Sequence, residues 1–268
     1  PISECGFAGM AVGAAMTGLR PIVDMTIASF IYLAADPIIN QAAKVRYMTG
    51  GQFSVPVTYR ASMWHNQANA AQHSDRPYPM FMGIPGLKIV APATPSDAKG
   101  LLKAAIRDNN PVLVFEDNDL WGKREEVPVD PDFIVPIGKA RTHREGGDVT
   151  IITVAGCLQP ALAAADVLAG EGISVEVIDL RTLLPLDTDA VLASLAKTGR
   201  IVVADYAHRT CSVASEIAAI AAEEGFAFLK KPVRRVTAPD IQIPFAPELE
   251  KQLYPSKESI AAAVRSLM

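Results

Sequence analysis

Glu4 is the first residue whose type suggests chemistry. It heads a stretch, Cys5 to Leu19, that carries no other ionisable acid or base. Two readings are open. A first-turn glutamate complements a helix dipole. Alternatively, a carboxyl held in an apolar pocket resists ionisation and can exchange a proton with a bound cofactor. The histidines are His65, His73, His143 and His208. His65 and His73 bracket a polar loop, Trp64 to Pro79, with no metal-ligand spacing. A long loop between buried strands is uncommon unless it is functional, so His73 is a candidate general acid or base. His143 lies in a polar, hairpin-like stretch, Arg141 to Asp148, and is expected to be solvated. His208 follows a strand end, Asp205 to Ala207, a favoured site position in α/β sheets. Gly9 and Gly13 are one helical turn apart and read as close packing rather than a phosphate loop. There is no Walker loop, GxSxG or HExxH.

The elements that must position these groups alternate between strand and helix, which predicts parallel sheets covered by helices. Ser3 is placed to cap a helix reaching about Thr17, expected to be buried on every side. Pro21 to Met25 reads as a strand, and Asp36 and Pro37 read as an N-cap and first helical residue. Strands are expected at Val55 to Tyr59, around Ile89 and Val90, and at Val112 to Phe115, with a helix from Pro95 to Arg107. Trp121 to Phe133 is charged, holds Pro128 and Pro131, and reads as a linker. It divides the chain into residues 1–133 and 134–268. The second half restarts the alternation, with strands beginning near Val149, Val175, Ile201 and Val233. The helices between them begin near Leu158, Asp187 and Val213, and Ile260 to Leu267 is a helical tail.

Composition narrows the classes. The chain has 268 residues, 50% hydrophobic and 20% charged, with a formal net charge of −4. That balance is globular, and an acidic surface gives no basis for nucleic-acid binding. No stretch has the ~18 apolar residues of a membrane span. Three cysteines without a CxxC pair form no disulfide framework or zinc site and suit a reducing compartment.

The residues Pro1 to Glu4, Gly6 to Gly9, Ala11 to Ala15 and Gly18 to Pro21 closely resemble the beta subunit of the 2-oxoacid dehydrogenase decarboxylase component. The likeness continues through Asn40 to Lys44, Ala70 to Ser74, Pro85 to Lys88, Asp97 to Leu101, Ala105 to Pro111, Glu176 to Thr182 and Ala207 to Arg209. It spans essentially the whole chain.

The resemblance implies an α/β fold: a thiamine-diphosphate pyrimidine-binding domain, lacking the N-terminal segment family chains carry before Pro1, then a transketolase C-terminal domain. It implies oxidative decarboxylation of a small 2-oxoacid, as in pyruvate dehydrogenase, with acyl transfer to lipoamide. The partners implied are an alpha subunit in an α2β2 tetramer, holding the diphosphate and magnesium, and a lipoyl acyltransferase core. The compartment would be the bacterial cytoplasm or the mitochondrial matrix. Glu4 falls on the glutamate that bonds N1′ of the aminopyrimidine, Phe30 on an aromatic against that ring, and His73 on the active-site histidine. Val57, Ala105, Ile106, Asp108 and Asn110 fall on positions that bind potassium in some relatives. Ala61, Trp64 and Ala68 stand where the family has glycine, so Trp64 and His65 are expected to narrow the substrate channel. Asp75 replaces a usual glutamine. An acetoin dehydrogenase, a divergent thiamine carboligase or a non-catalytic subunit are the alternatives.

Overall fold

Short apolar runs separated by helical segments give two mainly parallel sheets in the computed structural model, which describes residues 2–268. Pro1 of the amino-terminal motif lies outside the described residues. The strands are β1 (Ile22–Ile27), β2 (Thr58–Met63), β3 (Lys88–Val90), β4 (Val112–Asp117), β5 (Arg141–Arg144), β6 (Val149–Thr153), β7 (Val175–Asp179), β8 (Thr182–Leu184), β9 (Ile201–His208) and β10 (Arg234–Ala238). The α-helices are α1 (Glu4–Met16), α2 (Ala43–Met48), α3 (Tyr78–Met82), α4 (Pro95–Arg107), α5 (Leu158–Ala169), α6 (Thr188–Thr198), α7 (Val213–Glu223), α8 (Pro247–Glu250) and α9 (Lys257–Arg265). Two units divide the chain. One runs through Ile137 and includes Thr182–Pro185; the other holds Gly138–Arg181 and Leu186–Met268.

In the first unit the sheet order is β1-β2-β4-β3-β8, parallel except for the β3–β8 pair. β2 lies between two neighbours and is almost wholly buried, as a parallel strand covered on both faces must be. It extends four residues beyond the expected Tyr59. Ala61 and Met63 therefore lie within a packed strand, not in a loop. The register sets Met63 beside Asp117, so the chain leaving β2 emerges next to the end of β4.

Thr94 caps α4, its side chain accepting from Asp97 N, and Leu101 and Ala105 pack on Val90, Val112 and Val114. Phe133, Val135 and Ile137 cover the same core. Gly100 is needed here, because a Cβ would come within 2.8 Å of Val135 N. The expected linker is strapped along α4. Lys99 and Lys103 donate to the carbonyls of Pro128 and Pro131, and Arg107 Nη2 lies 3.2 Å from Asp132 Oδ1.

Two helix starts differ from expectation. Ser3 is the N-cap residue of α1, but its side chain makes no capping bond. Asp36 is not a cap either. It has helical dihedrals and accepts from Asn40 Nδ2 at 2.7 Å, within a continuous helical stretch. Pro37 opens a π-helical segment, Pro37–Ala42. Proline supplies no N–H and crowds the preceding turn, and a widened turn relieves both.

In the second unit the order is β10-β9-β6-β7-β5, parallel except for β5–β7. Its helices follow the expected alternation. His143 departs from expectation: it sits in β5 with its side chain largely buried, 3.9 Å from Asp179 Oδ2. No helix among the described residues is long and apolar enough to cross a membrane.

Candidate active site

Glu4 opens α1, whose buried face is Glu4, Ala8, Ala11, Val12 and Ala15. The small residues let α1 pack closely on the helical segments after β1. The Glu4 carboxyl is 7% exposed, and its Oε2 has no hydrogen-bond partner among the described residues. An orphaned buried carboxyl oxygen is costly. It fits the requirement for a group that meets a ring nitrogen of a bound heterocycle. The opposite face of α1 is not buried as expected. Cys5 and Met10 are exposed, and Ile2, Leu33, Tyr47 and Met48 add to the apolar surface of this unit.

The 3₁₀-helix after β1, Ala28–Ala34, carries Phe30 and Tyr32. Phe30 meets His73 edge to face, with ring centroids 5.5 Å apart. Two residues on in each segment, Tyr32 meets Asp75. Burial, and then the Asp75 carboxylate, push the Tyr32 hydroxyl well above its ordinary pKa, so it stays a neutral donor. His73 ends a short turn, Ala71–His73, in an otherwise irregular loop. Asn66, Ala68 and Ala70 in this loop have φ of 52°, 53° and 56°. Ala68 therefore adopts left-handed backbone at a position where glycine would be at ease.

Trp64 and His65, expected together on a channel wall, have different surroundings. Trp64 is half-buried. Its Nε1 donates to Ser62 Oγ at 2.8 Å, and its ring meets Trp121 edge to face at 5.9 Å. Both indoles line a cleft of about 160 Å³ with Asp24, Thr26, Arg60, Ser62 and Glu116. Arg60 makes a fork on Glu116 at 3.0 and 2.8 Å and reaches Asp24 at 3.1 Å. His65 has no exposed surface. Its Nδ1 lies 2.8 Å from Arg76 Nη2, its Nε2 2.8 Å from Asp119 Oδ2, and Asp117 accepts from Arg76 Nη1 at 2.7 Å. Burial pushes the Asp119 carboxyl up, but His65, Arg76 and Lys123 outweigh this and hold it below the ordinary range. Such a residue does not face a channel. Asp117, Arg76 and Trp121 were not singled out from the sequence; forty residues separate the partners, and no local pattern marks them.

Oxygens at the five potassium positions are engaged within the chain. Arg20 Nη1 donates to the carbonyls of Ile106 and Asp108 at 3.1 and 2.8 Å. Val57 O accepts from Val112 N, and Ala105 O from Asp108 N. Arg46 donates to Asn110 Oδ1 and Lys88 pairs with Asp108. These contacts occupy the oxygens named, and no step below uses potassium.

With this geometry in hand, similarity to known proteins decides the family. Residues 1–122 match the transketolase pyrimidine binding domain, and residues 138–260 match the transketolase C-terminal domain. The chain belongs to the beta-subunit family of the 2-oxoacid dehydrogenases. It is 47% identical over its whole length to the acetoin:2,6-dichlorophenolindophenol oxidoreductase subunit beta of Bacillus subtilis (strain 168), covering 78% of that protein. It is 44% identical to the 2-oxoisovalerate dehydrogenase subunit beta of the same strain, with 82% of that relative covered. It is 45% identical to the pyruvate dehydrogenase E1 component subunit beta of Rhizobium meliloti (strain 1021), of which it spans 58%. A solved structure described as a split gene transketolase, inactive beta4 tetramer, superposes with a TM-score of 0.79 at 25% identity, covering 98% of this chain and 81% of that one. This family is transketolase-like and uses thiamine diphosphate, and the α/β architecture of both units agrees with the fold inferred from sequence.

Proposed function

We propose that this chain is the catalytic beta subunit of a thiamine-diphosphate-dependent 2-oxoacid dehydrogenase, which decarboxylates a 2-oxoacid and passes the acyl unit to lipoamide. The observation that carries this reading is the orphaned Oε2 of Glu4 in an apolar helix packed beside the segment bearing Phe30. When bound, thiamine diphosphate supplies the electron sink that decarboxylation needs. The chain's own residues bind and orient it. Glu4 would meet N1′ of the aminopyrimidine with its unpartnered oxygen and exchange a proton there. Phe30 would pack against the pyrimidine, and its edge contact with His73 fixes where that imidazole stands. His73 then acts as a proton donor or acceptor toward substrate.

The diphosphate and magnesium fall to an alpha subunit, since this chain has no such motif. Potassium has no part in this reading, because Arg20, Arg46 and Lys88 already face the named oxygens. The exposed apolar face of α1 supports an α2β2 assembly, in which that face would be covered. A lipoyl acyltransferase core is the proposed acceptor, and the compartment the bacterial cytoplasm or mitochondrial matrix. A second reading, an acetoin dehydrogenase, is favoured by the relatives at 47% and 46% identity.

The deciding experiment is co-purification with the alpha subunit and assay of 2-oxoacids and acetoin with thiamine diphosphate. Turnover of a 2-oxoacid with lipoamide reduction supports the first reading; turnover of acetoin alone selects the second. Sub-micromolar thiamine diphosphate binding by the isolated chain in calorimetry would contradict the shared site.

A further inference from the structure

We infer that Asp117 is a positioning residue for His73, clasping both ends of the loop that carries it; this rests on the role proposed for His73. Asp117 closes β4, and its side chain is fully buried. One oxygen, Oδ2, accepts from Arg76 Nη1 at 2.7 Å. The other, Oδ1, lies 3.5 Å from His65 Nδ1. Arg76 Nη2 bridges to the same His65 nitrogen at 2.8 Å, closing a triangle. His65 is the second residue after β2, and Arg76 lies two before α3. Arg76, held by Asp117, therefore closes one end of residues 66–75 and bonds His65 at the other, and His73 lies between them in sequence.

The loop needs such a tie. Its only regular structure is the turn Ala71–His73, and three non-glycine residues hold left-handed backbone. Such conformations cost free energy and persist only where the surroundings over-determine them. The donor pattern also fixes a tautomer. Arg76 has only hydrogens to offer, so Nδ1 of His65 accepts and the remaining proton sits on Nε2, beside Asp119. With its ends fixed, the loop has little freedom in where it presents His73 to Phe30. Displacement of a catalytic group by about 1 Å can cost about a hundredfold in rate. A purely structural Asp117 would only neutralise a buried arginine, and would act on stability without acting through His73.

The test is a double-mutant cycle in the enzyme assembled with its alpha subunit, using Asp117→Asn, His73→Ala and the pair. Asp117→Asn is expected to lower kcat about ten- to a hundredfold, with KM for the 2-oxoacid and thiamine diphosphate affinity changed by less than about threefold. Added to His73→Ala, it should cause no further loss. Losses that multiply would overturn the proposal. Hydrogen–deuterium exchange of the full chain gives a readout free of chemistry: residues 66–75 should exchange about tenfold faster in Asp117→Asn, while β2 and β4 keep their rates. Unchanged exchange in that loop overturns the clasp even if activity falls. If Asp117→Asn does not fold, His65→Gln removes one limb of the triangle and is taken through both measurements. If His73→Ala alone leaves turnover intact, the assignment of His73 has failed, and the exchange data still decide the clasp.

Discussion

Glu4 in the first unit and Glu176 in the second are both buried, yet their surroundings are opposite. Glu176 has Oε2 bonded by Thr150 Oγ1 at 3.1 Å and by Ser194, while Lys197 pairs with its other oxygen. Thr198 bonds the same threonine at 3.0 Å, so the charge is engaged in holding α6 to β6 and β7. Glu4 has an oxygen with no partner among the described residues. A satisfied buried carboxylate is architecture. An unsatisfied one is a place where the fold tolerates a cost because something else is to arrive there.

The largest effect expected from this contrast is at Glu4. Glu4→Gln keeps the shape but cannot give up a proton as an acid, and turnover in the assembled enzyme should fall by about a hundredfold or more. Its thermal midpoint should barely move. Steady-state kinetics beside a melting curve would break the comparison if turnover stayed near normal.

Glu176→Gln should do the reverse. It leaves hydroxyl donors and the Lys197 ammonium poorly matched, at a cost of about 1–3 kcal/mol in denaturant unfolding. Activity per folded complex should be unchanged. A loss of kcat without loss of stability would erase the distinction between the two glutamates.

A smaller, selective effect is expected at Trp64, which we propose as a specificity element because it packs edge to face on Trp121 and both indoles line the cleft of about 160 Å³. Trp64→Gly should change the ratio of kcat/KM between pyruvate and bulkier 2-oxoacids by about tenfold or more, with thiamine diphosphate affinity retained. One common factor for every substrate would show that Trp64 only packs the cleft.

The smallest effect concerns acid. Burial pushes the Asp108 carboxyl up, but Lys88 and the two Asn110 donors outweigh it and hold it below the ordinary range. A depressed folded pKa adds stability above the unfolded value near ~4, and this is lost as pH falls through the folded value. Asp108→Asn should therefore be slightly less stable than wild type at pH 7, and the gap should narrow below about pH 4. Urea unfolding across that range measures it; a gap that widens in acid reverses the sign.

The second unit was the more legible in sequence. Its strands and helices follow from apolar runs such as Val149 to Thr153 and from helices closed by Gly170 and Gly199, where local pattern and fold agree. In the first unit, local signals were overruled by tertiary contacts. Ala61 and Ser62 lie beyond the strand expected from sequence, yet β2 extends to Met63 because β1 and β4 supply partners on both sides. Asp36 and Pro37 look like a helix start, yet the chain is already helical and widens a turn instead. Glu4 and His73 could be picked out by type and placing, and their roles came from the resemblance. Asp117 and Arg76 are invisible locally, since each matters only through a residue far away in the chain.

The straps along α4 have a further consequence, for how this region tolerates change in length. Lys99, Lys103 and Arg107 are spaced by four and so rise on one helical face, like marks on a ruler. The first two grip carbonyl oxygens, which every residue type possesses, and the third reaches the exposed Asp132. Surface ion pairs contribute little energy, so what the straps fix is register. The segment from Trp121 to Phe133 is thus free to drift in composition, whereas one residue inserted between Pro128 and Pro131 would put each downstream carbonyl out of step with its mark.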